Sequence, residues 1–228
     1  MKTDFTGEFF VPGEGCKTSE EEHFERYKFA ATYGAGKRIL DIACGVGYGA
    51  KILSEMGASN IVGCDILEDN IEYCINRYKS DSIEFKVKDV TKPLLEREFD
   101  LIVCFETIEH IDDFKTVLIN LYDSLKEDGR LIVSSPNRKI TNPYLGPNER
   151  AGVYHIREFT IDEFQVHLLE IGFKNIEVYG QRQQRFFKNP FIEKHYKRLF
   201  KPSRKASPKV EPIKKGLEPE YFIMIAGK

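Results

Sequence analysis

The run Gly45-Val-Gly47-Tyr-Gly49-Ala50 follows a short apolar stretch that carries Asp41 four residues before the first glycine. The pattern GxGxx[GA] lets a backbone turn sharply and come close to a ligand, and alone it suits a dinucleotide. Two more acids sit at comparable places, Asp65 after Asn60–Cys64 and Asp89 after Ser82–Val87. A carboxylate such as Asp65 can accept both hydroxyls of a ribose, and Asp89 can accept an adenine amino group.

Asp41 weighs against a dinucleotide. A pyrophosphate at a helix N-terminus wants positive potential, and a neighbouring carboxylate repels it. S-Adenosylmethionine (SAM) has no phosphate and carries an ammonium and a sulfonium, so Asp41 is a favourable neighbour for it. SAM, whose demethylated form is S-adenosylhomocysteine (SAH), is thereby a candidate cofactor beside a dinucleotide. Methyl transfer from a sulfonium is an in-line displacement in which positioning supplies much of the rate. An oxygen acceptor of high pKa also needs a base, typically worth about 10²–10⁴-fold. His155 and His110 are the candidates, with Glu106 and Glu109 as carboxylate alternatives. His155 lies in the Asn142–Arg157 connection, long enough for a substrate loop. His23 reads as a substrate contact or as ordinary surface, and His167 and His195 as structure or solvent. No histidine pair has i, i+4 spacing and HExxH is absent, so no metal is expected, although Asp112 and Asp113 beside the Glu-His pair suit Mg²⁺ in composition.

These residues need strands to hold them. Arg38–Ile42, Asn60–Cys64, Ser82–Val87, Phe99–Phe105, Arg130–Ser134, Phe173–Tyr179 and Tyr221–Ile225 read as seven strands, with Phe99–Phe105 central because it is the most apolar. Helical spacing marks His23–Thr32, Tyr48–Met56, Glu68–Tyr78, Asp112–Leu125 and Thr160–Ile171, the last with a Thr160/Glu163 capping box. The alternation predicts an α/β, Rossmann-like parallel sheet with helices on both faces and an antiparallel last strand. Ligands of such sheets bind at the carboxyl ends of the strands, where the three acids fall.

At 228 residues, 41% hydrophobic, the chain suits one domain (35–228) with an N-terminal lid segment (1–34). No apolar run reaches the roughly 18 residues of a bilayer span. MKTDFTGEFF lacks a secretory h-region, and five cysteines without a CxxC pair point to a reducing cytoplasm. Residues 182–215 hold twelve Lys/Arg against two acids, a net +10, which leaves −12 for the rest of a chain of net charge −2. This basic insert, with Phe186, Phe187 and Phe191 in its first half, is expected to meet an anionic acceptor, a membrane surface or a lipid-linked glycan, through Arg182, Arg185 and Lys188; a solvated helix and loop is the plain alternative.

RILDIACGVGYG resembles the first motif of class I SAM-dependent methyltransferases, FDLIVCFETIEHI their fourth-strand signature as in sugar and quinone methyltransferases, and DGRLIVSSPN their fifth strand. The likeness covers about residues 36–180. TGEFFVPGEG, EEHFERYKFA, SSPN and HIREFT further resemble bacterial methyltransferases found with surface-polysaccharide genes. The resemblance implies SAM contacts at Asp41, Ala43, Gly45, Gly47, Asp65, Ile66, Asp89, Val90 and Phe105, with Glu106 near the methyl group and Arg26 and Tyr27 closing over the methionine carboxylate. It implies a methyltransferase, read foremost as O-methylating a sugar or glycoconjugate in polysaccharide biosynthesis. A quinone or phenolic acceptor, a nucleic-acid methyltransferase and a non-catalytic SAM-binding module are the alternatives. Nucleic acid is disfavoured because [DNS]PP[YFW] does not follow the fourth strand, where FETIEH stands.

Overall fold

Along Ile39-Leu40-Asp41-Ile42, alternate side chains enter two different apolar clusters, one on each face of a sheet. The computed structural model describes residues 17–94, 97–187 and 206–228. Its strands are β1 (Arg38–Ile42), β2 (Asn60–Asp65), β3 (Ile83–Val87), β4 (Phe99–Phe105), β5 (Leu125–Pro136), β6 (Lys174–Gln181), β7 (Glu211–Pro212) and β8 (Tyr221–Gly227). They form one sheet in the order β3-β2-β1-β4-β5-β8-β6-β7. Strands β1 to β5 run parallel, and β8 inserts antiparallel between β5 and β6. The order reverses at β1 and β4, so a cleft opens at their carboxyl ends.

One face carries α1 (Lys17–Ala31), α2 (Tyr48–Glu55) and α3 (Glu68–Tyr78). The other carries α4 (Phe114–Ser124) and α6 (Ile161–Ile171), packed through Phe114, Leu121, Phe164 and Leu168. Phe159, Phe164 and Phe222 are fully buried, and each such side chain contributes about 1.5–3 kcal/mol through burial. The expected capping box is present: Thr160 Oγ1 accepts from Glu163 N, and Glu163 Oε2 accepts from Thr160 N. Cys44, Cys64, Cys74 and Cys104 are buried free thiols. No helix among the described residues is long and apolar enough to cross a membrane.

Three expectations need correction. Among the described residues the sheet has eight strands rather than seven, because β7 emerges from the end of the basic insert and pairs Glu211 and Pro212 with β6. Pro212 is tolerated there because β7 is an edge strand. Strand β5 starts at Leu125, not Arg130, and takes in Lys126-Glu-Asp-Gly with a register shift opposite Phe99/Leu101. A Cβ at Gly129 would stand 2.9 Å from Lys126 O and 3.0 Å from Phe99 O, so only glycine fits that bend. Helix α1 already includes Lys17, six residues before His23, and a short α5 (Arg138–Thr141), capped by Asn137, follows β5.

Candidate functional site

A cavity of about 870 Å³ opens at the carboxyl ends of β1, β2 and β4. That is ample for a nucleoside-sized ligand with a second reactant. The glycine loop forms its floor. Gly45 has φ +54 and no atom within 4 Å of where a Cβ would stand, so its backbone faces open space in the cavity wall. Gly47, at φ +78, is the left-handed N-cap of α2 and does not line the cavity; a Cβ there would meet Cys74 Sγ at 2.7 Å. Gly49 serves packing too, since its Cβ would overlap the Tyr27 ring at 2.0 Å.

Ala43 and Glu106 both line the cavity with positive φ, 52° and 46°. These conformations are uncommon outside glycine and store strain where β1 and β4 end. Glu106 is held by Ser134 Oγ, which donates to its Oε1 at 2.6 Å, and by Arg26 Nη2 at 3.7 Å from the same oxygen.

Asp65 also lines the cavity. Its Oδ2 accepts from Gly45 N at 2.9 Å and its Oδ1 from Leu67 N at 3.0 Å, which fixes the carboxylate and leaves lone pairs for a ligand. Ile66, an apolar side chain 63% exposed, and Val90 flank it on the wall, while Asp89 turns its Oδ1 to Thr91 N and Oγ1. Those hydrogen bonds hold the Asp89 carboxyl below its usual range.

Asp41, Arg26 and Gly47 do not line the cavity. Asp41 lies behind its wall: Tyr27, which lines it, donates its hydroxyl to Asp41 Oδ1 at 2.9 Å, and Asp41 Oδ2 is buried without a partner. Burial pushes the Asp41 carboxyl up to about 7. Arg26 is buried over the Tyr221 ring, with Nε donating to Gln181 Oε1 at 2.7 Å and Nη1 unpartnered. Ser19, His23 and Tyr27 place one face of α1 over the cavity, and burial takes the His23 imidazole down to about 3 beside Tyr48. His167 packs on Phe114 and Phe159, as expected of a structural residue.

The other end of the cavity collects Glu106, Glu109, His110, Arg150, Tyr154 and His155. Glu109 sits in a 3-10 turn (Ile108–His110), and its backbone carbonyl accepts from Ile156 N and Arg157 N. Those two bonds dock the Asn142–Arg157 connection against the end of β4 and bring the His110 and His155 rings edge to face at 4.9 Å. His155 Nδ1 lies 2.8 Å from Glu158 Oε1. Burial pushes Glu158 up, but hydrogen bonds from His155, Asn142 and Thr141 outweigh it and hold the carboxyl below its usual range. Glu109 is fully buried, accepts from Ser135 Oγ, and is pushed well up by burial and by the Glu106 charge.

Sequence reading missed Glu158, Tyr48, Asn70, Arg150 and Tyr154. The His-Ile-Arg-Glu spacing of 155–158 was the available signal for Glu158, because it allows a side-chain pair across three residues. The basic insert is described only in part: Lys188 and His195 lie outside the described residues. Arg182, expected to meet an anionic acceptor, pairs within the chain with Glu22 of α1, and its backbone N donates to Ser207 O.

Comparison with known proteins agrees with this architecture. The model of the family described as "Methyltransferase domain" matches residues 20–178. A Mycolicibacterium smegmatis protein described as a probable S-adenosylmethionine-dependent methyltransferase is 28% identical over 77% of this chain and 67% of its own length. A Triticum aestivum phosphoethanolamine N-methyltransferase 1 is 31% identical over 60% of this chain, which spans only 27% of that relative. The crystal structure of a Thermotoga maritima SAM-dependent methyltransferase matches 93% of this chain and 92% of its own, with a TM-score of 0.66 at 18% identity, a likeness of fold.

Proposed function

The chain belongs to the class I SAM-dependent methyltransferases, and from that premise we propose that it O-methylates a hydroxyl of a sugar or glycoconjugate during polysaccharide synthesis. SAM is its cofactor and supplies, when bound, an electrophilic methyl group. The chain's own residues fit that ligand. The open face of Gly45 and of Ala43 admits the methionine part, Asp65 has lone pairs for the ribose hydroxyls, and Ile66 and Val90 offer apolar faces to the adenine, with Asp89 beside its amino group. Phe105, at the end of the fourth strand, lines the same cavity and would lie near the methyl group. Asp41 contributes through Tyr27, as buried negative potential beside a cationic ligand, and Arg26 contributes by orienting Glu106.

The observation that carries the acceptor reading is the His110–His155 pair at the polar end of the cavity. A neutral amine is nucleophilic as it stands, whereas an alcohol oxygen must shed its proton as it attacks, and two imidazoles with Glu106 are groups suited to that task. The polar setting of Arg150, Glu106 and the exposed Tyr154 ring favours a sugar over an apolar phenol. Incubating the protein with SAM and parallel panels of nucleotide-linked sugars and of phenols tests this by product mass. Methylated sugar supports the reading; methyl transfer to phenols or amines alone overturns it.

A further inference from the structure

Glu109, His110 and His155 each offer one ligand atom, and these atoms lie within 4.8 Å of one another. We infer that they form a binding site for a first-row divalent cation, which holds the acceptor oxygen at this end of the cavity. The inference rests on the acceptor reading above and departs from the sequence expectation of no metal, which considered helical spacing and a Glu-His pair flanked by aspartates. Here the ligands come from a 3-10 turn and from a distant loop that the Glu109 carbonyl docks against it.

The orientation of the two imidazoles carries the inference. His155 Nδ1 is 2.8 Å from Glu158 Oε1, and His110 Nδ1 is 3.1 Å from Tyr154 O. A carbonyl can only accept, and the Glu158 carboxyl is held in its acceptor form by Thr141 and Asn142 donors, so each Nδ1 carries the proton. In the neutral form of each ring the lone pair is then on Nε2. A histidine braced through Nδ1 by a carboxylate or carbonyl is the usual outer-shell arrangement of a metal ligand. The third ligand is independent of these. Glu109 is fully buried, its Oε2 is engaged by Ser135, and its Oε1 has no hydrogen-bond partner while standing 4.0 Å from His110 Nε2.

A buried, unpartnered carboxylate oxygen is costly unless something positive completes it. Two imidazoles and one carboxylate are nitrogen-rich donors that suit Mn²⁺, Fe²⁺, Co²⁺ or Zn²⁺ rather than Mg²⁺ or Ca²⁺. Three protein ligands leave coordination positions open toward the cavity, where an acceptor hydroxyl would bind the cation and lose its proton more readily to solvent water. His110 and His155 thus make the acceptor oxygen nucleophilic by holding the cation rather than by taking the proton themselves.

The test uses the full, tag-free chain stripped with chelator and titrated with Co²⁺ alone, read by visible absorption and calorimetry, without SAM or acceptor. The expected result is one Co²⁺ per chain, weakened at least about tenfold in His155→Ala and in Glu109→Gln, and about 10–100-fold in Glu158→Gln through loss of the brace. SAH binding to the same samples reports whether each variant is folded and whether the cofactor cavity stands. No Co²⁺ uptake by wild type that binds SAH, or uptake unchanged in His155→Ala, overturns the metal site and leaves the methyltransferase reading intact. Failure of wild type to bind SAH counts against the cofactor cavity and leaves the cobalt result to decide the metal site separately.

Discussion

The Tyr27 hydroxyl donates to Asp41 Oδ1 at 2.9 Å, tying helix α1 to the end of strand β1. Among the described residues it is the one hydrogen bond to the Asp41 carboxylate, which is fully buried and whose other oxygen has none. Burial raises the folded-state pKa of Asp41 from 3.8 to about 7, so the folded chain binds that proton more tightly than the unfolded chain. The associated stability is whole below about pH 4 and is lost as pH rises to about 7, on the order of 4 kcal/mol in total. Glu109 shifts in the same direction, so the difference between variants is the diagnostic quantity. Asp41→Asn is expected to flatten the fall in unfolding free energy between pH 4 and pH 8 in denaturant titrations of the SAH-free protein. Parallel curves for the two proteins would show that Asp41 does not carry the shift.

His155 should matter to turnover and not to cofactor affinity. It lies at the opposite end of the cavity from Asp65, on a loop that the Glu109 carbonyl docks. His155→Ala is expected to cut kcat by about 10²-fold or more while SAH affinity stays within a factor of two or so. Full activity in the mutant, measured with the methylated acceptor identified by the product-mass panels, would remove His155 from the acceptor machinery.

Arg182 and Glu22 form a nearly buried ion pair between the end of β6 and α1, with side chains 12% and 9% exposed. Arg182→Ala would leave Glu22 charged and unpartnered in the interior, a loss of roughly 3–5 kcal/mol. For a chain of this size that lowers Tm by roughly 6–20 °C. The double variant Arg182→Ala/Glu22→Gln should recover much of the loss. A Tm within about 2 °C of wild type in the single variant would mean the pair contributes little.

Much of this site is readable from residue order, for a physical reason. In a parallel sheet, side chains at successive strand ends converge, so Ala43, Gly45, Asp65, Ile66, Asp89, Val90, Phe105 and Glu106 could be placed on one rim once the strands were found. His110 and His155 were visible as candidates, but their meeting was not, because it depends on two backbone hydrogen bonds that the Glu109 carbonyl accepts from Ile156 N and Arg157 N, 47 and 48 residues away. Asp41 and Gly47 lie behind the cavity wall instead. Their spacing fits ligand contact, yet packing turned one toward Tyr27 and the other toward Cys74 and Phe85. Arg182 looked like a free cation in a basic run because its partner, Glu22, is 160 residues away in the chain. Strand β7 escaped notice since two residues ending in proline carry no period.

The most direct test of the cofactor cavity is calorimetric titration of the protein with SAH and, separately, with NADH. Asp65 bridges the glycine loop through Gly45 N and faces the cavity, so SAH is expected to bind at micromolar level and NADH not measurably. Asp65→Ala should weaken SAH binding by about 1.5–3 kcal/mol, roughly 10–150-fold, as the ribose hydroxyls lose a charged acceptor. Tight NADH binding, or SAH binding that is unchanged by Asp65→Ala, would contradict the account.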